Sequence, residues 1–372
     1  MNVLVVTVVH DPRDARILHR QIAALLAAGH RVTFAAPFRD YGVEPPAGVR
    51  PVELARARGR HRLTAARRAR TVIRAEASAH DVVLVHDPEL LLAVAGVRGP
   101  VVVWDVHEDT AAALTLKDWM PRYARRAAAA GVRTAESWAE GHVRLLLAEE
   151  GYRERFASEH PVVPNSTPSP DAVVPSGGTR VVYVGSLSRA RGAHEMVELG
   201  RSLLADGIEV HLLGSADADT APLLREAHDA GWVRWHGFVP NNAAMELVDG
   251  ALAGLSLLHD EPNYRHSRPT KVIEYMAHGV AVVSTPTPPA RDLVEATGCG
   301  ILVPFGDVDA ARDAVLRLRD DTDARQAMAD RGRARALAEF DWRRDGDEFV
   351  AILERWVAER TSVPAVDRGD DS

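Results

Sequence analysis

Lys271 and Glu274 lie three residues apart in the segment Ser267-Arg268-Pro269-Thr270-Lys271-Val272-Ile273-Glu274-Tyr275-Met276-Ala277-His278-Gly279. Lys271 is one of two lysines among 45 basic residues, the other being Lys117. A lysine kept in so arginine-rich a chain points to a need for a compact, rotatable ammonium rather than a planar guanidinium fork. Ser267 and Pro269 are helix-start residues and Gly279 is a helix stop, which puts Lys271 in the first turn of a short helix and Glu274 one turn further along the same face. An ammonium at a helix N-terminus attracts phosphate, and a carboxylate one turn on accepts hydrogen bonds from ribose or sugar hydroxyls. Together they have the chemistry of a nucleotide-sugar site. The same spacing also suits an ordinary exposed Lys–Glu pair.

Such a site needs strands and turns to hold it. The first half of the chain alternates continuous β-branched runs with amphipathic stretches, the pattern of a parallel sheet covered on both faces. Strands are predicted at 3–9, 31–35, 82–85 and 101–105, with a helix over 13–28, a helical region over 122–151 and a short strand at 161–163. Pro, Ser and Gly in 164–178 mark a linker, after which the pattern restarts with strands at 179–185, 209–213, 233–235, 252–258 and 281–284. The expected fold class is α/β, two doubly wound Rossmann-like domains facing a central cleft, with ligands outside the carboxyl ends of the strands. The domains expected are 1–168 on the acceptor side and 169–338 for the nucleotide sugar. A C-terminal helix at 339–360 is expected to return to the first domain, followed by a disordered tail at 361–372.

A chain of 372 residues is long enough for two such domains. Its net charge of -7 gives no case for nucleic-acid binding. The charge is uneven, because residues 50–74 carry nine arginines against the single acid Glu53. That block suits an anionic membrane surface or an acidic acceptor, and equally a solvated basic helix. Cys299 is alone, so no internal disulfide forms and a reducing compartment is natural. No apolar run reaches the roughly 20 residues that span a bilayer. The first ten residues lack a basic n-region and a cleavage site, and read as a strand rather than a signal peptide. A cytoplasmic protein is expected, with the inner face of the membrane as a place for peripheral contact.

The segment Ser267-x-Pro269-x-Lys271-x-x-Glu274-Tyr275-Met276-Ala277-x-Gly279, followed by an apolar strand, closely resembles the donor-site signature of retaining family 4 glycosyltransferases of the GT-B fold. Other segments match that family in order: Asp105-Val106-His107-Glu108, Val163-Pro164-Asn165, Gly185-Ser186-Leu187-Ser188-Arg189-Ala190-Arg191-Gly192 and Gly237-Phe238-Val239-Pro240. The likeness spans most of the chain and is most specific over 185–306. It implies transfer of a sugar from a nucleoside diphosphate to an acceptor hydroxyl with retention, without a metal or other cofactor. The acceptor implied is a glycan, a glycolipid or a small molecule, in glycolipid, polysaccharide or natural-product glycosylation.

The resemblance also assigns residues. It implies that Arg191 and Lys271 hold the donor diphosphate, that Glu274 meets the ribose, and that the backbone near Val239 meets the base. Gly185, Ser186 and Gly214 belong to the donor-side turns, where glycine lets the backbone approach phosphate; Gly214 also reads as a plain strand-to-helix turn. Ser267 and His266 complete the donor set, although many members carry glutamate in place of His266 and arginine in place of Ser186. His107, just past a strand end, is implied to position a donor hydroxyl or the reacting centre, so the catalytic set is His107, Arg191 and Lys271. On the acceptor side the candidates are His10, Asp14 and Arg16 after the first strand, where Asp11 and Pro12 also read as a helix start, and His86 at another strand end.

Asp217-Ala218-Asp219 has the Asp-x-Asp form of metal-dependent transferases but lacks histidine or further acids at ligand spacing. No Gly-x-Gly-x-x-Gly follows a strand and no P-loop is present, which argues against a nicotinamide dehydrogenase or a P-loop NTPase. A nucleotide-sugar epimerase of the same architecture and a catalytically degenerate nucleotide-binding scaffold are the rival readings.

Overall fold

The computed structural model describes residues 1–107, 122–265 and 268–362; Glu108, Lys117, His266, Ser267 and residues 363–372 lie outside the described residues. The chain divides into two units, Met1–Asn165 with the segment from Arg343 onward, and Ser166–Trp342.

Each unit is built on a six-stranded parallel sheet. In the first, β1 (Asn2–Val6), β2 (Arg31–Ala36), β3 (Arg50–Glu53), β4 (Val82–Val85), β5 (Val101–Val106) and β6 (Arg144–Leu147) lie in the order β3-β2-β1-β4-β5-β6. In the second, β7 (Arg180–Val184), β8 (Glu209–Leu213), β9 (Arg234–Trp235), β10 (Ala253–Ser256), β11 (Val282–Ser284) and β12 (Gly300–Leu302) lie in the order β12-β11-β10-β7-β8-β9. Counted from its own first strand, each sheet has the same order, in which successive strands run to one edge and then restart beside the first. That restart opens a crevice at the carboxyl ends, between β1 and β4 in one unit and between β7 and β10 in the other. Val3, Leu4, Val5 and Val6 of β1 and all four residues of β4 are fully buried. Strands covered on both faces must be apolar throughout, which is why these two read as unbroken runs.

The strands that the pattern misses, β3, β6 and β12, are all sheet edges. β3 and β12 are short and only partly covered, so their sequences carry little periodicity, whereas β6 buries Leu145, Leu146 and Leu147. β3 contains Pro51, and β6 follows directly on the helix Arg122–Glu140, which hides it inside the predicted helical region. The strand expected at 161–163 is only a bridge between Leu147 and Val162. The first helix begins as π-helix, Ala15–Ile22, before continuing as α-helix, Ala23–Ala27.

The helix Trp342–Ser362 belongs to the first unit apart from its first residue, and runs two residues into the expected tail. His30 Nε2 lies 3.1 Å from Glu354, and Arg144 lies 3.0 Å from Glu359. The Pro- and Ser-rich segment is fastened to the second unit, where Arg333 Nη2 donates to the Pro170 carbonyl at 2.8 Å. No described helix is long and apolar enough to cross a membrane.

Candidate functional site

In the first unit, polar side chains gather at the carboxyl ends of β1, β4 and β5. Arg16 Nε and Nη2 donate to the two oxygens of Asp105 at 2.7 and 2.6 Å, and its remaining donors reach Asn165 Oδ1 at 2.9 Å and the Val163 carbonyl at 3.0 Å. The pair is withdrawn from water, with side-chain exposures of 4% and 0%. Burial alone would raise the Asp105 carboxyl, but the Arg16 charge and the hydrogen bonds of Arg16, His107 and His86 outweigh it and hold the group well below the usual carboxylate range. Asp105 is therefore an anion, and His107 Nδ1 lies 3.1 Å from its Oδ2 and 3.1 Å from its backbone carbonyl oxygen. Burial works against a charged His107, yet Asp105 overrides it and raises the imidazole above its ordinary value.

The far nitrogen of His107 meets another histidine. His107 Nε2 and His10 Nε2 are 3.2 Å apart, one ring donating to the other. His10 Nε2 also lies 3.3 Å from Asp87 Oδ1. Asp87 is fixed in turn through its Oδ2, which accepts from Thr7 Oγ1 at 3.0 Å and from the Val8 N–H at 2.5 Å. His107 is thus oriented from behind by one carboxylate and reaches, through His10, toward a second.

Three acceptor-side candidates have other roles. Arg16 has its guanidinium committed to Asp105, Asn165 and Val163, so it is a framework residue. Asp14 Oδ1 caps the first helix by accepting from the Arg16 and Ile17 N–H groups. His86 is fully covered, and burial first, with the neighbouring His107 and His10, lowers its pKa although Asp105 partly offsets this. Only His10 of the four combines partial exposure with contact to His107. His86, Asp105 and His107 have ligand atoms within 4.8 Å of one another, a spacing a divalent cation could use. Arg16 already occupies both Asp105 oxygens, and its charge would repel a metal there.

In the second unit, Tyr275 fixes the helix Thr270–Ala277 against the crevice. Its hydroxyl accepts from the Val184 N–H of β7 at 3.0 Å and donates to the Leu255 carbonyl of β10 at 3.1 Å, tying together the two strands at the switch point. Gly254 makes room for the ring, since a Cβ there would lie 2.3 Å from it. The helix ends at Ala277 and Gly279 follows with φ 64°, in keeping with its reading as a stop. Lys271 stands in the first turn, 9% exposed, with Nζ 5.1 Å from the Tyr183 ring centroid.

Arg191 reaches the same region on the turn Arg189–Arg191. Gly192 closes that turn at φ 78° and touches the end of β10 so tightly that a Cβ would fall 2.1 Å from the Leu257 carbonyl oxygen. The Arg191 guanidinium lies 5.9 Å from the Tyr264 ring centroid. Burial and then the Arg191 charge push the Lys271 ammonium down to about 8, with Glu274 partly offsetting them. Neither cation forms a salt bridge among the described residues. Two such cations brought together at a strand end call for an anion.

Other donor-side candidates among the described residues lie in this unit as well, while His266 and Ser267 fall outside them. Asn241 Nδ2 donates to Glu274 Oε1 at 3.4 Å, and Val239 is half-buried against the core that includes Tyr275. A Cβ on Gly214 would sit 1.9 Å from the Gly185 carbonyl oxygen, so this glycine is required by close backbone approach as well as by the turn. Ser186 is exposed, with its carbonyl accepting from Tyr183 Oη at 2.8 Å. Asp217 accepts from the Thr220 N–H at 2.8 Å just before the helix Ala221–Asp229, a turn-capping role. Tyr183, Tyr264 and Asn241 escaped the sequence reading, and Tyr275 entered it only as one position of the signature segment. Three of the chain's six tyrosines support this region, Tyr183 beside Lys271, Tyr264 beside Arg191 and Tyr275 on the helix that carries Lys271.

Residues 169–335 match the family model described as glycosyl transferases group 1. The chain is 24% identical over 180 residues to the putative colanic acid biosynthesis glycosyltransferase WcaL of Salmonella typhimurium, covering 47% of this chain and 44% of that protein. It spans about half the length of the curated relatives it matches. Among solved structures, sucrose-phosphate synthase from Thermosynechococcus elongatus aligns with a TM-score of 0.70 at 16% identity, covering 96% of this chain and 99% of that one. HepE of Anabaena, solved in complex with UDP and glucose, aligns with a TM-score of 0.67 at 14% identity, covering 95% and 100%. The fold of the two units is that of GT-B glycosyltransferases.

Proposed function

We propose that this chain is a retaining glycosyltransferase of family 4, moving a sugar from a nucleoside diphosphate to an acceptor hydroxyl in polysaccharide or related glycan synthesis. The observation that carries the reading is the pair Lys271 and Arg191 at the end of β7, neither with a salt bridge among the described residues. A diphosphate supplies the anion that this pair lacks. The polysaccharide-biosynthesis names of the relatives support the acceptor class, and HepE, solved with UDP and glucose, makes UDP-glucose the first donor to try.

In the reaction the bond between the anomeric carbon and the phosphate oxygen breaks as a bond to the acceptor oxygen forms on the same face. The acceptor proton passes to the departing phosphate oxygen. Lys271 and Arg191 stabilise the negative charge growing on the diphosphate, as preorganised groups that need no reorientation. Glu274, held by Asn241, takes the ribose hydroxyls. His107 is a positioning group for the sugar, its ring set by Asp105 and its Nε2 presented beside His10. With Arg16 on Asp105 and Asp217 closing the turn before a helix, the charge stabilisation falls to protein cations rather than to a metal.

Product analysis with a panel of nucleotide sugars and glycan acceptors, in excess chelator, tests the reading. Free nucleoside diphosphate together with a glycosylated product of retained configuration is expected. A new nucleotide sugar with no transfer would mark an epimerase, donor binding without turnover a scaffold, and turnover lost to chelator and restored by magnesium a metal enzyme.

A further inference from the structure

We propose that Leu63, Arg67, Arg70 and Arg74, together with Leu92, form a docking face for an anionic lipid bilayer. The helix Arg62–Glu76 buries Ala65, Ala69 and Ile73. At about 3.6 residues per turn, Leu63, Arg67, Arg70 and Arg74 follow one another along a stripe on the side away from that buried face. Arg70 Nη1 donates to the Leu92 carbonyl at 2.5 Å, which sets the neighbouring helix Leu91–Val94 beside the stripe. In that short helix Leu91, Ala93 and Val94 are buried, whereas Leu92 is 69% exposed; Leu63 is 67% exposed. These are the two most exposed large apolar side chains among the described residues, and both fall in this one patch.

The surrounding charge selects the partner. The guanidinium groups of Arg67 and Arg74 form no salt bridge or hydrogen bond among the described residues, the Arg67 carbonyl alone accepting from Thr71 Oγ1. Two acids close by are already taken, Glu76 by Arg50 and Glu89 by Arg62. The patch is therefore cationic in a chain whose net charge is -7. Arginines that demand anions beside leucines that demand an apolar medium fit an acidic bilayer, where headgroups meet the first and the acyl boundary receives the second. A soluble polyanion satisfies the arginines and leaves the leucines in water.

Co-sedimentation of the full chain with phosphatidylcholine vesicles containing phosphatidylglycerol tests this, against phosphatidylcholine alone and against soluble polyphosphate. Binding to the mixed vesicles is expected, weakening steeply with salt. The double variant Arg67→Gln/Arg74→Gln should bind about thirtyfold more weakly. Leu63→Ser/Leu92→Ser should bind about tenfold more weakly, with unchanged Tm and unchanged nucleoside diphosphate binding. Equal binding to neutral and anionic vesicles, leucine variants that bind like the parent, or polyphosphate capture as strong as vesicle capture would each overturn the proposal. Vesicle binding needs no donor, so it is read independently of glycosyl transfer.

Discussion

Arg16 and Asp105, 89 positions apart, form a two-pronged ion pair at 2.6 and 2.7 Å that is almost sealed from solvent. The pair holds the carboxylate that orients His107, and it begins on the π-helical turn that Asp14 caps. Removing the cation leaves a buried charge alone, so Arg16→Met should cost about 3–5 kcal/mol of stability in denaturant unfolding. Adding Asp105→Asn should recover part of that loss. A stable Arg16→Met protein with impaired acceptor use alone would return Arg16 to the acceptor side.

His107 and His86 share Asp105 but shift in opposite directions. His107 is raised, so the stability it contributes is complete below about 6.5, the ordinary histidine value, and fades as pH rises through its folded value. His86 is lowered, so its contribution is present above that ordinary value and is lost as pH falls through its folded value. Imidazole NMR titration should find His107 above the free-histidine midpoint and His86 below it. The reverse order would break the assignment of Asp105 as the anion behind His107.

Gly214 and Gly29 separate close approach from backbone strain. Gly29 has φ 78° and no atom within 4 Å of the place a Cβ would take, so Gly29→Ala should cost about 1–2 kcal/mol from φ alone. Gly214→Ala adds a collision with the Gly185 carbonyl at 1.9 Å and should cost distinctly more, with weaker nucleotide binding as the donor-side turns part. Thermal unfolding of the two variants compares them; equal losses would remove the packing role of Gly214.

What was legible in the sequence follows physical lines. β1 and β4 are buried on both faces and announce themselves as unbroken apolar runs, whereas the edge strands β3 and β12 are only partly covered, and the buried leucines of β6 follow so closely on a helix that they read as part of it. The helix carrying Lys271 was readable because Pro269 and Gly279 act locally at its ends. Arg16 was not, because its partner lies 89 residues away and no local spacing records a long-range ion pair. His86 ends a strand like a site residue, yet its ring lies buried 3.3 Å from Asp105, which pattern alone does not distinguish from exposure at a strand mouth. Tyr275 reads as one more apolar helix residue until its hydroxyl is seen joining β7 to β10.

Lys271 links the donor site to pH with two opposite signs. Its folded value of about 8 lies below the ordinary 10.5, so between those values the folded protein binds fewer protons than the unfolded chain and stability rises with pH. Donor binding needs the ammonium and should weaken as pH rises through about 8. Calorimetry near that pH should also detect proton uptake on binding, as a dependence of the apparent enthalpy on buffer. Binding that is flat across this range would detach Lys271 from the diphosphate.

The proposed function stands on Lys271 and Arg191 binding the diphosphate of a nucleotide sugar. Isothermal titration of nucleoside diphosphates into the parent chain and into Lys271→Ala tests it most directly, with the exposed Arg67→Gln as the control. The parent should bind at least one nucleoside diphosphate, the control should match it, and Lys271→Ala should bind roughly ten- to a hundredfold more weakly, the worth of one charge-assisted contact. A folded Lys271→Ala protein that binds the same nucleoside diphosphate as tightly as the parent would contradict that assignment.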